Sequence, residues 1–308
     1  MAFTAKDVQA LREKTGVGMM DCKKALVEAD GDMDKAVDIL REKGLASQAK
    51  KSGRVAAEGV VAAYSDSKAG ALVELNCETD FVAKGEPFVK LANEIAKTAC
   101  VSAPTDLDAL LKTAVVDGNG TVEEAVQEVF LALRENMKVR RFTRVEGVAS
   151  TYIHAGGTVG VMVSFDADAD IAAKAEFEAM GKNVAMQIAA MNPSYLDEAS
   201  VPAEVLDKEK TILIAQMKED PKMANKPEAV LGKIVEGKIG KYYKENCLLD
   251  QEFVRSDLFE GSVGKYVESI AKSLGSAIKV TGFVRYERGE GIEKKQEDFA
   301  AEIESMVK

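Results

Sequence analysis

The side chains best suited to nucleophilic or metal chemistry in this sequence are four cysteines, Cys22, Cys77, Cys100 and Cys247, and one histidine, His154. The cysteines are scattered and form no C-x-x-C pair, so their spacing suggests neither a disulfide framework nor a zinc site. Cys77 has Glu78 and Asp80 beside it, and neighbouring carboxylates disfavour the thiolate that a nucleophilic cysteine needs. Only the distant His154 could assist, and any Ser–His chemistry or imidazole-based metal site would have to draw on the same residue. There is no P-loop and no G-x-G-x-x-G; "GNG" at 118–120 is a turn without that context. The expectation is a protein without bond-making chemistry: no catalytic residue, no cofactor, no metal, and four buried, reduced thiols.

The same region poses a different question. In "ELNCETDFVAKGEPF", residues 74–88, an apolar strand-like run ends at Cys77, a polar turn follows, and Phe81 stands where the chain should enter solvent. Pattern alone leaves two readings open. Either Thr79 or Asp80 caps a short helix and Phe81 is tucked into the core as a staple, or Phe81 is displayed for contact.

Bulk properties narrow the setting in which that turn must work. The chain has 308 residues, 46% hydrophobic and 30% charged, which is ordinary for a globular protein of about two domains. No apolar run approaches the ~20 residues that span a bilayer, and the N-terminus lacks a basic region followed by an unbroken apolar stretch. Neither a membrane nor a secretory route is therefore expected, and the cytoplasm is the expected compartment. Basic clusters occur at 50–54 ("KKSGR") and 138–141 ("KVRR"), but acids dominate and the net charge is −10, which disfavours direct nucleic-acid binding.

The elements that would position the turn follow from periodicity and caps. Residues 1–45 read as three short helices: one opened by a Thr4/Asp7 capping box, one over 19–28, and one capped by "DGD" with Met33, Ala36, Val37 and Leu40 on a buried face. The polar segment 47–54 reads as a linker. An internal repeat follows. The segments starting at Glu58 and Glu146 share Glu–Gly–Val, a tyrosine six residues on (Tyr64, Tyr152), a glycine-bearing turn and a second apolar strand; each leads to a helix (88–101, 177–191) that stops before a proline. Residues 121–135 are helical in pattern. Residues 201–243 read as two helices joined by the 221–227 turn, with Leu206, Leu213 and Met217 facing Leu231, Val235 and Tyr242. A late strand within 278–291 returns to the second sheet, and a final helix carries Ile292, Phe299, Ile303 and Met306.

The resulting fold class is α+β. Its expected parts are a three-helix module with linker (1–54), a first core subdomain (55–142), a second one (143–199 and 263–287), an inserted helical arm (200–262) and a C-terminal helical module (288–308).

Two stretches resemble the signature motifs of the bacterial elongation factor Ts family, guanine-nucleotide exchange factors for elongation factor Tu: "LREKTGVGMMDCKKAL" at 11–26 and "ELNCETDFV" at 74–82. Similarity continues through "ENMKVRR" (135–141), "EGVASTYIHAGGTVGVMV" (146–163) and "VTGFVRYERGEGIEK" (280–294), covering essentially the whole chain. The resemblance implies a translation factor that binds elongation factor Tu, GDP-bound and nucleotide-free, and speeds GDP release and GTP exchange by distorting its nucleotide and magnesium site.

The resemblance also implies a set of contacts. The aromatic of the Thr–Asp–Phe–Val segment inserts into the partner's GTP-binding domain while the acid perturbs its magnesium region, which assigns Thr79, Asp80, Phe81 and Val82. His154 lies where the second subdomain touches the partner. The N-terminal module, similar to the ubiquitin-associated type of bundle, docks through Val17, Met19 and Met20, with one of the two methionines expected in the core. The loop before "ENMKVRR" is also a contact in relatives, where a glycine commonly precedes the Glu–Asn pair; Arg134 stands there in this chain, a departure from the pattern at Leu133 and Arg134. The helical arm is a candidate device for a homodimer, although such a hairpin can equally close on itself or brace the partner. The competing functional classes are a ubiquitin-associated-type adaptor without exchange activity and a thiol enzyme built on Cys77.

Overall fold

The computed structural model describes residues 3–219 and 226–293. Helices α1 (Ala5–Thr15), α2 (Met19–Glu28) and α3 (Met33–Lys51) form the N-terminal module. The first opens on Thr4, whose backbone N–H and hydroxyl donate to the Asp7 carboxylate at 2.6 and 2.8 Å. The third opens on Asp32, which accepts from the N–H groups of Asp34 and Lys35 at 3.0 Å each. The expected linker at 47–54 is corrected: α3 continues to Lys51, because Ala, Gln and Lys are good helix formers and neither Gly nor Pro occurs in 45–52.

The repeat becomes two matching halves. Strands β1 (Glu58–Ser65) and β2 (Ala69–Cys77) form a hairpin followed by the one-turn α4 (Asp80–Ala83) and the long α5 (Glu86–Ser102). After α6 (Leu107–Lys112) and α7 (Val122–Leu133), β3 (Lys138–Glu146) pairs antiparallel with β2. The second half repeats the order with β4 (Val148–His154), β5 (Val159–Asp166), α8 (Ala169–Ala172) and α9 (Ala175–Met191). Then come the arm helices α10 (Ala203–Glu219) and α11 (Glu228–Asn246), followed by α12 (Val263–Leu274) and β6 (Lys279–Glu287), which completes the second sheet against β5. Four of these elements, α6, α8, α12 and β3, have no counterpart in the sequence reading, and β3 runs across the expected 142/143 boundary. The expected C-terminal helix falls, from residue 294 on, outside the described residues, as does most of the 221–227 turn.

The two three-stranded sheets lie face to face with helices outside them. Val60, Ala71, Val73 and Leu75 pack against Phe88, Leu91 and Ile95 of α5 and Phe130 of α7. Val161, Val163 and Phe165 pack against Phe177, Val184 and Ile188 of α9 and Val267 of α12. Between the sheets sit Val61, Leu72, Met162 and Tyr286. Each fully buried Leu or Phe in these layers contributes roughly 1.5–3 kcal/mol by leaving water. Close approach depends on Gly157 in the β4–β5 turn: its carbonyl accepts the Val61 N–H at 2.8 Å, its φ is +98°, and a Cβ there would lie 2.8 Å from that of Val60.

One charge sits in this interior. Glu74 on β2 is fully buried and accepts from Arg140 Nη1 at 2.9 Å, Arg141 Nε at 2.6 Å, Asn76 Nδ2 at 3.1 Å and the Gly289 N–H at 2.8 Å. Burial by itself pushes its pKa up; the Gly289 N–H and the two guanidinium groups outweigh that and hold it below the ordinary glutamate value.

The N-terminal module is docked, not tethered. Leu131 of α7 belongs to the cluster of Val8, Leu11, Leu26 and Leu40, Arg41 pairs with Glu128 at 3.0 Å, and Gly44 leaves room for Leu131. In the arm, Leu213, Met217, Val235 and Ile239 form a closed seam flanked by Leu206, Leu231 and Tyr243. Tyr243 replaces the expected Tyr242, since residues 231, 235, 239 and 243 share one stripe at steps of four; Tyr242 turns toward Tyr195. Buried Gln187 of α9 donates to Gln251 Oε1 at 3.2 Å, and Gln251 donates to the Glu245 carbonyl at 2.9 Å, fastening the foot of α11.

Candidate functional site

The turn after β2 is built by its own caps. Thr79 is extended (φ −123°, ψ 154°) and its hydroxyl accepts from the Val82 N–H at 3.4 Å, starting α4. Cys77 Sγ donates to the Thr79 carbonyl at 3.2 Å. Asp80 ionises below the usual carboxylate range, chiefly because Lys84 Nζ donates to it at 2.6 Å, with a smaller pull from Arg288. Of the two readings of Phe81, the core staple is excluded, because the ring is 86% exposed. Val82 packs on the first core cluster and Ala83 is buried, so these two residues supply what the fold needs from this turn.

The repeat offers an internal control. With Phe88 set against Phe177, α4 matches α8: Asp168 takes the cap position of Thr79, buried Ile171 that of Val82, and exposed Asp170 that of Phe81. The architecture therefore tolerates an acid in this slot. An aromatic is not required there by packing.

The N-terminal module presents Met19 and Met20 at the start of α2. Both are exposed, at 50% and 63%, which corrects the expectation that one belongs to the core; the inward face of α2 is instead made by Cys22, Ala25 and Leu26. Val17 is also corrected. It is fully buried in the module core and its carbonyl accepts from Cys22 Sγ at 3.4 Å, so it shapes the loop and offers no surface.

Three consecutive residues, beginning at the departure noted at Arg134, join these two apolar features through bonds that sequence reasoning did not assign to them. Arg134 Nη2 reaches Asp21 Oδ2 in the first turn of α2 at 3.0 Å. The Glu135 carboxylate accepts from the Thr79 N–H at 2.9 Å and its hydroxyl at 2.6 Å. The Asn136 N–H donates to Glu78 Oε1 at 2.6 Å, and its side-chain amide donates to the Arg54 carbonyl at 2.8 Å. Arg134 itself has φ +61°, a left-handed helix end in which glycine is favoured.

His154 is exposed at the tip of the second hairpin, with Nδ1 3.0 Å from the Tyr152 hydroxyl and the partly exposed Ile153 beside it. That hairpin lies on the first sheet near the start of β1, through Gly157 and Val61. Glu58 at the start of β1 pairs with Cys77 at the end of β2, so the hairpin shares the end of the sheet from which α4 departs. Arg288 fastens the corner: its N–H donates to the Thr158 carbonyl at 2.9 Å and its guanidinium pairs with Glu58 at 3.1 Å.

Chemistry of other kinds finds little support at this end of the molecule. Burial, with the Glu135 charge adding to it, pushes the Cys77 thiol up to about 12, and Cys22, Cys100 and Cys247 are buried as well. Among the described residues no group of three His, Cys, Asp or Glu side chains could hold a metal ion, and no helix is long and apolar enough to cross a membrane. Arg140 and Arg141 of the "KVRR" cluster are committed to Glu74.

Comparison with known proteins places these features in a wider set. A family model described as elongation factor TS matches residues 78–290. The elongation factor Ts of Clostridium perfringens (strain SM101 / Type A) is 50% identical over 309 residues, covering 99% of this chain and 99% of that protein. The elongation factor Ts of Clostridium botulinum (strain ATCC 19397 / Type A) is 48% identical over 311 residues, covering 99% of this chain and 98% of that protein.

Proposed function

Because the chain belongs to the elongation factor Ts family of translation elongation factors, we propose that it binds elongation factor Tu and accelerates GDP release, using Phe81 as a wedge against the nucleotide-binding domain. The observation that carries this reading is the 86% exposure of Phe81 on a turn whose duplicate bears Asp170. A large ring held in solvent by a capped turn is a preformed anchor. It can supply localised binding energy to a distorted partner loop at little ordering cost.

Thr79 and Val82 set the turn, Asp80 places a carboxylate beside the ring, and His154 with the Met19–Met20 edge supplies flanking contacts. No bond is made or broken. The factor binds the low-affinity form of the partner's site, so nucleotide and factor weaken each other by the same coupling free energy, and incoming nucleotide ejects the factor.

The assay is release of a fluorescent GDP from elongation factor Tu, with and without the protein. Stimulation is expected, and its absence with a folded protein would remove the proposal. The same assay bears on the thiols. Cys77→Ala should cost about 1 kcal/mol of stability through lost packing and leave stimulated release at the parental level; a folded variant without activity would restore a chemical role for the sulfur. As to self-association, the arm spends its main apolar seam internally. A homodimer through the arm would therefore have to use Ile212, Ile214 and Val230, which light scattering of the free protein would reveal.

A further inference from the structure

Residues 134–136 are placed between the two exposed apolar features, and each bonds in a different direction. Arg134 holds the first turn of α2 through Asp21, and its carbonyl accepts from Lys51 Nζ at the end of α3. Glu135 holds Thr79 with both carboxylate oxygens. Asn136 ties Glu78 to the segment after α3 through the Arg54 carbonyl. This short, irregular segment thereby links the N-terminal module to the turn before α4, beside the direct Arg54–Glu78 ion pair at 3.3 Å.

The Glu135 contact also settles the geometry of the cap. A threonine hydroxyl has one proton and two lone pairs. By taking the proton, Glu135 Oε1 turns a lone pair of Thr79 Oγ1 toward the Val82 N–H, which is the bond that starts α4 and sets the direction in which Phe81 leaves it. Without the carboxylate the hydroxyl is free to rotate, and the 3.4 Å cap is the weakest bond in the turn.

We propose that Arg134, Glu135 and Asn136 form a positioning latch that fixes the Met19–Met20 edge and Phe81 at one relative orientation, so that both meet a single partner surface. The inference rests on the wedge reading above and adds a coupling element to it. Two contacts on one rigid body bind as a unit only while their mutual geometry is held; when it is lost, the second contact must be found at a fresh entropic cost.

The experiment uses the full chain and compares Glu135→Ala, Glu135→Gln, Arg134→Gly and Phe81→Ala. Thermal melting, amide hydrogen exchange at Val82, and GDP release titrated to saturating factor are measured on each. Glu135→Ala should melt near the parental temperature and exchange the Val82 amide faster. Its maximal release rate should fall about tenfold, with a change of less than about threefold in the half-saturating concentration. Glu135→Gln keeps an acceptor and should fall in between. Arg134→Gly relieves the left-handed backbone but drops Asp21, and should lower release about threefold or more despite equal or greater stability. A purely structural role would instead lower melting and maximal release together and raise the half-saturating concentration.

Parental release from Glu135→Ala and Arg134→Gly, with Phe81→Ala impaired, overturns the latch alone. Parental release from Phe81→Ala overturns the wedge reading and the latch with it.

Discussion

Phe81→Ala is expected to leave the fold intact and remove most of the exchange activity. The ring is 86% exposed, so its truncation loses little buried volume, and stability should stay within about 1 kcal/mol of the parent. Binding is another matter. Loss of an aromatic anchor commonly costs ~2 kcal/mol or more, which corresponds to about 30-fold in factor-stimulated GDP release. Phe81→Asp is the stricter variant, because it installs the residue that the second copy of the turn carries as Asp170. Both substitutions should give parental melting curves and cooperative unfolding. Parental release from either would rule out the wedge; a drop in melting that accounts for the lost activity would return Phe81 to the core.

Glu74→Gln should have the largest effect on stability. It leaves Arg140, Arg141 and the Gly289 N–H facing a neutral amide at a fully buried position, and breaking one side of a buried ion pair costs about 3 kcal/mol or more. Because the two guanidinium groups are partly exposed and can rehydrate, the lower end of that range is expected, a fall in melting temperature of roughly 5–10 °C. The pH dependence has a definite sign. The folded-state pKa of Glu74 lies below its unfolded value of about 4.3, so its contribution is fully present above that pH and is lost as pH falls through the folded pKa. The gap between parent and Glu74→Gln should be constant at neutral pH and close in acid. A gap that widened in acid would mean that the carboxyl is held neutral.

Much of this arrangement is legible in the sequence because local rules and tertiary demands coincide. The Thr4/Asp7 box, the start of α2 at Met19 and the prolines after α5 and α9 act through nearest neighbours, and the structure obeys them. The repeat gave the matching halves for the same reason. Local pattern leaves Phe81 between two readings, whereas aligning the copies puts Asp170 opposite it and shows that this slot does not require an apolar staple.

What escaped is non-local. Nothing around Glu74 shows that its partners lie on β3 and beyond β6, and nothing around Glu135 shows that it bonds to Thr79. The resemblance assigns Val17 to the docking edge, but the loop turns it inward. Segment 47–54 looked like a linker because its composition is polar, whereas helix continuation there is decided by the preceding turns. Strand β3 was hidden in a basic run whose arginines, normally a sign of solvent, are neutralised by a buried glutamate.

The placement of β6 bears on the order in which the molecule can fold as it is synthesised. The first sheet has all three of its strands once Glu146 has left the ribosome, whereas β4 and β5 lack their third strand until residues 279–287 arrive behind the whole arm. A two-stranded hairpin is marginal on its own, and closing so long a loop is slow. Glu74 meets the same delay, since its bond from Gly289 comes from the segment just after β6. Until then its carboxylate has Arg140, Arg141 and Asn76 of its own sheet as donors. The half that carries Phe81 is thus the first whose sheet is complete along the chain, and the segment after the last strand brings the final donor to a charge laid down near the beginning.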